Sequence, residues 1–375
     1  MFLDVGVVVV RDGIGEIRIS YLDGLRGIAI AMVLFYHGFF RWRDIEPWEV
    51  PSWIEAIASH GAVGVHLFFM ISGFVIFLTL ERTRDVWTFF ARRWLRLFPA
   101  MLIASVVSML LSYVLINRPE GALAPLDLLP GLIFVAPWKI ASLTGLHVQS
   151  IDGAYWSIYV EVIFYFVVAF SFYLFHDREA RFLQGVFITW YFVYLLDLLG
   201  YRIEPLVWAF DIIEAQFFGW FLVGILTFKY VSVQRPVYLW TALLYAFGAS
   251  VAYALSIGSS LGFLIALGIV LIFLLPLWFE SVRSLYSQRL LVFLGFVSYP
   301  LYLMHQNLVT GAAISLYERG LFALSWALPI LPILAAIALA YIIAKIEPVL
   351  KNVFRDSFAS LFSRYKKIGY GRPEE

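Results

Sequence analysis

The chain has 375 residues, 62% of them hydrophobic and only 14% charged, with a mean hydropathy of +0.86; soluble domains carry roughly 25% charged residues, so a water-soluble globule is excluded. A net charge of +1 leaves no bulk field to recruit nucleic acid. With no cysteine, disulfides, thiolate chemistry and cysteine metal sites are excluded as well. What remains is an all-α, polytopic membrane protein, with 18% Phe, Trp and Tyr to furnish interfacial belts; the alternating pattern of an outer-membrane barrel is absent.

Residues 1–20 lack the basic n-region and long apolar core of a signal peptide, so the first spanning helix is expected to be the uncleaved targeting signal. That helix lies in "LDGLRGIAIAMVLFYHGFF", residues 22–40. Runs of roughly 17–25 apolar residues then predict ten spans, at 25–40, 61–80, 97–116, 155–175, 182–200, 206–228, 237–256, 260–279, 290–314 and 321–344. A weaker run at 126–138 reads as a partial or interfacial helix. The expected organisation is a cytoplasmic segment 1–20, a membrane domain 21–346 and a basic cytoplasmic tail 347–375, with no soluble domain fused at either end.

Cytoplasmic loops are enriched in Lys and Arg. With the N-terminus inside, the inner segments hold 20 of these residues, among them Arg82, Arg84, Arg92, Arg93 and Arg96. The outer loops hold six: Arg41, Arg43, Arg118, Lys139, Arg202 and Arg319. Both termini are therefore expected in the cytoplasm of a cell (inner) membrane protein.

A charge at a helix centre costs roughly 2.5–3.5 kcal/mol on the insertion scale, so each one needs a reason. Arg26 and His37 are eleven residues apart, about 16 Å of rise, and eleven steps of 100° bring them back to one face. At matching depths on other helices stand Glu161, His305 and His66, which suggests an intramembrane cluster of proton-handling groups. Each has a bland reading too, as a helix–helix hydrogen-bonding residue. Asp211 and Glu214 share a face and either line an outward cavity or pair with Arg202. Arg93 and Arg96, i and i+3 on a short cytoplasmic helix before the third span, are either interfacial anchors or a phosphate site suited to the planar guanidinium.

Five stretches in order resemble the acyltransferase-3 family of integral-membrane O-acyltransferases. "LDGLRGIAIAMVLFYH" is similar to its first-helix signature, with Arg26 and His37. "GVHLFFMISGFVI" resembles the second-helix signature through Gly64, Phe68, Phe69, Ser72 and Gly73. "RRWLRLFPA" matches an Arg-x-x-Arg motif at Arg93 and Arg96, "WSIYVE" matches at Trp156, Ser157 and Glu161, and "SYPLYLMH" ends on His305. The resemblance covers residues 21–305 and implies helices around an acyl-CoA tunnel open to the cytoplasm. It implies Arg26 and His37 as the principal functional residues; beside them Glu161 and His305 are candidate catalytic residues, and Arg93, Arg96, Ser72 and Trp156 join Arg26 as candidate donor contacts. Acyl-CoA, acetyl-CoA above all, is then a substrate rather than a resident cofactor. The implied acceptor is a carbohydrate or glycolipid, such as exopolysaccharide, O-antigen or a lipid-linked sugar. Some relatives carry an additional extracytoplasmic hydrolase-like domain; this chain resembles the stand-alone type. No metal constellation is evident, because the six histidines are scattered rather than at ligand spacing. The partners besides donor and acceptor are the lipid bilayer and no nucleic acid, with a homodimer admissible.

In this reading the anionic end of the donor sits at Arg26, Arg93 and Arg96, and the rise to His37 matches the reach of its pantetheine arm. His37 is the general base, with an unperturbed pKa near 6.5 that leaves it neutral at pH 7. Glu161 orients it or stabilises its cation, and His305 holds the acceptor or the thioester oxygen. An acyl-histidine intermediate on His37 is the alternative chemistry. The rival class is a proton-coupled transporter of a small organic solute, since buried His and Glu also build relays, but no inverted repeat is visible. A scaffold leaves the buried charges unexplained.

Overall fold

The computed structural model describes residues 9–11, 17–83, 85–175, 179–320 and 325–368. Most of segment 1–20, Arg84, the first residues of the expected last span (321–324) and the end of the basic tail lie outside them. A small antiparallel hairpin, β1 (Val9–Arg11) with β2 (Ile17–Ile19), leads directly into α1 (Ser20–Phe39). Next come α2 (Ser52–Ala58), α3 (Gly64–Leu80) and α4 (Val86–Ser112). A broken pair follows, α5 (Leu129–Ile133) and α6 (Pro137–Thr144). The remaining helices are α7 (Trp156–Phe175), α8 (Glu179–Leu198), α9 (Glu204–Ile212), α10 (Phe218–Val233), α11 (Pro236–Ser256), α12 (Ser260–Leu274), α13 (Glu280–Tyr286), α14 (Arg289–Tyr302), α15 (His305–Glu318) and α16 (Ile330–Ile368).

Local chemistry marks several starts. Asp85 caps α4, its carboxylate accepting from the Thr88 amide at 2.9 Å, and Ser259 caps α12 through the Gly262 amide at 3.2 Å. Pro236 opens α11, where its missing N–H has no intrahelical partner to lose. Trp53, Trp87 and Trp240, near helix ends, are exposed, as an interfacial belt requires.

Among the described residues, eight helical stretches are long and apolar enough to cross a bilayer, and nine if the α5–α6 pair, bent by 102°, is one broken span. This corrects the expected ten. The fifth, α8, carries Glu179, Arg181 and Asp197 and is less apolar. The ninth is not one helix: α14 has 14 residues, about 21 Å of rise, shorter than a hydrocarbon core of about 30 Å. It stops at the Leu303–Met304 junction, beyond Pro300, and the chain restarts as α15. The sixth is likewise broken, because Glu214 adopts a left-handed backbone (φ 55°) between α9 and α10. The weak run at 126–138 falls on the bent α5–α6 pair. The expected boundary at 346/347 lies inside the continuous helix α16.

Glycines set the closest helix contacts. A Cβ on Gly27 would overlap the Leu291 carbonyl of α14, and one on Gly295 would overlap the Asp23 carbonyl of α1. Gly73 and Gly224 do the same for α3 and α10, against the carbonyls of Phe221 and Met70. Without a hydrophobic drive between helices in lipid, such backbone approach supplies the association energy. Several glycines of the sequence signatures are thus packing residues.

Candidate functional site

Arg26, Ser72, Arg93, Arg96 and Glu161 line one narrow cavity of about 70 Å³, with Phe68, Phe69, Ser157 and Tyr302 at its walls. Arg26 donates to Asp23 Oδ1 at 2.8 Å. Arg93 is not on a separate cytoplasmic helix, as its sequence neighbourhood suggests. It lies two turns into the single helix α4, is 9% exposed, donates to Thr79 Oγ1 at 2.7 Å, and stands 5.8 Å from the Tyr165 ring. Its buried Nε has no protein partner. A guanidinium needed only as an interfacial anchor would snorkel to water; this one is held inward.

Glu161 belongs to this cavity and not to the histidines. Its Oε1 accepts from Tyr165 OH at 2.7 Å and from Ser72 Oγ. The expectation that it orients His37 is therefore corrected: its carboxylate is bonded to α3 and to its own helix, among the arginines.

His37 and His305 form a direct pair. His305 Nε2 lies 3.1 Å from His37 Nδ1, with ring centroids 4.7 Å apart. His305 Nδ1 is 2.9 Å from the Tyr302 carbonyl, and His37 Nδ1 is 3.0 Å from the Val33 carbonyl. Carbonyls only accept, so each Nδ1 carries the proton. His305 Nε2 is then an acceptor for the His37 Nδ1–H, and neutral His37, its ring in hydrogen-bonding contact with the Gln306 side chain, carries its lone pair on Nε2. That nitrogen is the available base. The pair is one side chain removed from the arginine cavity, because Tyr302 lines that cavity and its ring lies 5.4 Å from that of His305.

The helix break makes this possible. It frees backbone carbonyls at membrane depth, which must be satisfied by protein. Tyr155 OH donates to the Leu303 carbonyl at 3.0 Å, and Tyr302 OH donates back to the Ala154 carbonyl at 3.1 Å while sitting 2.7 Å from Ser157 Oγ. The start of α7 and the broken α14–α15 segment are thereby tied together, and His305 becomes the first residue of α15.

Four residues missed by sequence reasoning complete the support. Asp152, which caps the turn before α7 through the Ala154 amide at 2.9 Å, accepts from the Asn307 amide at 3.3 Å and from its Nδ2 at 3.2 Å. Glu120 accepts from Asn307 Nδ2 at 2.9 Å and from Gln306 Nε2 at 3.2 Å. Burial, and then Asp152, push the Glu120 carboxyl up; burial raises that of Asp152. The signal was present: "HQN" is three polar residues in a row inside an apolar run.

Other expectations are redistributed. His66 is not in the cluster; it stacks on Trp220 at 4.6 Å. Trp156 borders a second cavity together with His66, rather than the arginine cavity. Glu214 pairs with Lys139 at 3.4 Å, and Arg202 pairs with Asp197 and Glu204 instead of Asp211 or Glu214.

The acyltransferase-3 family model, described as an acyltransferase domain, matches residues 19–345. The chain belongs to the acyltransferase-3 family. It is similar to O-acetyltransferase OatA of Staphylococcus aureus, 28% identical over 187 residues, which is 45% of this chain and 27% of that protein. It is also similar to acyltransferase MdmB of Streptomyces mycarofaciens, 26% identical over 153 residues, 40% of this chain and 38% of that protein. The matched part thus spans well under half the length of these curated relatives. No solved structure matches it. In this acyltransferase-3 chain, the matched region contains both the arginine cavity and the histidine pair.

Proposed function

We propose that the chain is an integral-membrane O-acyltransferase that moves an acyl group from cytoplasmic acyl-CoA to a hydroxyl of a carbohydrate or glycolipid acceptor. The observation that carries this reading is the hydrogen-bonded His37–His305 pair, borne on the same helix that places Arg26 in the arginine cavity. The relatives named O-acetyltransferase support acetyl as the group transferred. The excess of Lys and Arg on one set of loops supports an inner-membrane location with both termini cytoplasmic. Modification of a cysteine at position 82 by a membrane-impermeant reagent from the extracytoplasmic side alone would refute that orientation, and the cysteine-free background makes the labelling clean.

A cavity of about 70 Å³ is far too small for a nucleotide. The nucleotide of the donor therefore stays outside, its phosphates drawn by Arg26, Arg93 and Arg96, and only the thin pantetheine arm threads inward. Tyr302 stands between this cavity and His305, its ring 5.4 Å from the imidazole, so the arm reaches the histidines past that side chain. His37 Nε2 takes the proton of the acceptor hydroxyl as its oxygen attacks the thioester carbonyl. The C–S bond breaks, and the proton passes from His37 to the departing thiolate. His305 Nε2 accepts the His37 Nδ1–H throughout and stabilises the transient cation. The test is transfer of radiolabelled acetyl from acetyl-CoA to glycan acceptors by the purified chain in lipid nanodiscs. Absence of transfer to every glycan, with donor bound, would sink the proposal.

A further inference from the structure

A second cavity, of about 280 Å³, lies between α3, α7, α8, α10 and α11. It is four times the volume of the arginine cavity and close to the lower bound of roughly 300 Å³ for small-molecule sites. His66, Trp156, Trp190, Gln216, Trp220 and Tyr253 define it. These residues come from the start of α3, the start of α7, the second half of α8, the approach to and start of α10, and the end of α11. The starts of α3, α7 and α10 and the end of α11 line one cavity, so all of these positions fall at one end of the bundle. That end is opposite the one where α4 begins and Arg93 and Arg96 stand. Under the orientation proposed above it is the extracytoplasmic end. Only an aromatic layer parts the two cavities: Phe69 lines the arginine cavity, and its ring lies 5.4 Å from that of Phe217 and 6.2 Å from that of Trp156, both of which line the second.

The lining has a distinct chemistry. It is rich in indole and phenol rings and, among the described residues, contains no Lys, Arg, Asp or Glu. Within it His66 is 7% exposed, its ring nearly parallel to Trp220 (15°) and 4.8 Å from Tyr253, and its Nδ1 has no hydrogen-bond partner. A cavity built for hydrocarbon has no use for an imidazole and a carboxamide in its lining. A charged ligand would find no counter-ion. A ligand with apolar faces and a neutral hydrogen-bonding rim matches this lining: the faces stack on indole and phenol rings, and the rim meets the His66 imidazole and the Gln216 amide. Sugar rings have this character.

We propose that this cavity binds a neutral sugar unit of the acceptor, apart from the hydroxyl that reacts, a reading that rests on the carbohydrate acceptor proposed above. The cavity sets acceptor affinity and specificity, while the arginine cavity holds the donor. His66 and Gln216 are its hydrogen-bonding residues.

The test is calorimetric titration of the full chain in lipid nanodiscs, free of sugar detergents, with maltotriose and with N-acetylchitotriose. Choline and dodecanoate serve as probes for the cationic and hydrocarbon alternatives. The variants are His66→Phe, which keeps a ring and removes its nitrogens, and Gln216→Ala at an exposed position, with thermal unfolding of each variant measured alongside because the Gln216 side chain also bonds Glu214. At least one saccharide should bind, and each variant should weaken it several-fold to about tenfold, as loss of one hydrogen bond does. For a glycan that is acetylated, KM should rise by the same factor while kcat and the KM for acetyl-CoA stay unchanged. Binding of neither saccharide, equal binding to wild type and both variants, or saturable binding of choline or dodecanoate in their place would overturn the proposal. Acetyl transfer with unchanged acceptor KM in both variants would sink the cavity and leave the transferase standing. Saccharide binding that depends on His66 in a chain that transfers nothing would do the reverse.

Discussion

His305→Ala tests whether the two histidines work as one unit. The substitution removes the acceptor 3.1 Å from His37 Nδ1. In the ground state the loss is small, because the Val33 carbonyl still accepts from that nitrogen at 3.0 Å. In the transition state His37 carries positive charge, and a hydrogen bond to a charged group contributes roughly 1.5–3 kcal/mol. The expected fall in kcat is therefore about 10- to 150-fold. His37→Gln removes the base itself and should cost roughly 10²–10⁴-fold. Because His305 acts through His37, the double variant should be no slower than His37→Gln alone. The assay is single-turnover acetyl transfer with donor binding measured separately, and donor binding should survive in all three, since the phosphate end lies about 16 Å away along α1. An unchanged kcat in His305→Ala, or a double variant that multiplies the two losses, would refute the pairing as a catalytic device.

Arg93→Ala with Arg96→Ala should raise the KM for acyl-CoA more than that for the acceptor, because charge-assisted bonds to phosphate are lost; normal acyl-CoA affinity in titrations would reduce both residues to anchors. Asn307→Ala leaves Asp152 and Glu120 each short of a donor and should destabilise the protein by roughly 1–3 kcal/mol, with kcat lowered through His305; thermal unfolding and turnover measured together check this, and a variant of native stability would contradict it. In the loop after α1, burial pushes the Glu46 carboxyl up to about 7 from 4.5, against the pull of Arg43. The folded state thus holds this proton to higher pH than the unfolded chain, so stability falls as pH rises from about 4.5 through about 7. Glu46→Gln should flatten that decline in a pH series of melting temperatures, and an identical slope in wild type and variant would disprove the assignment.

Much of this protein is legible along single helices. A period of 3.6 residues fixes the relation of any two positions on one helix, so the shared face of Arg26 and His37 and their separation follow from "RGIAIAMVLFYH" alone. Apolar runs located most of the spans, and five motifs in order located the family. Relations between helices were not legible in this way. Equal depth suggested one cluster of His37, His66, Glu161 and His305, yet depth says nothing about the direction in which a side chain turns. That direction is decided by packing. Gly73 and Gly224 bring α3 and α10 together and set His66 on Trp220, while Ser72 and Tyr165 hold Glu161 among the arginines. The pairing of His37 with His305 likewise needed a break in a run that hydropathy reads as continuous. Hydropathy counts apolar residues and is blind to a backbone carbonyl capped by a tyrosine from another helix; the bond from Tyr155 to the Leu303 carbonyl exists only once the chain is folded, and it helps hold the break beside which His305 meets His37.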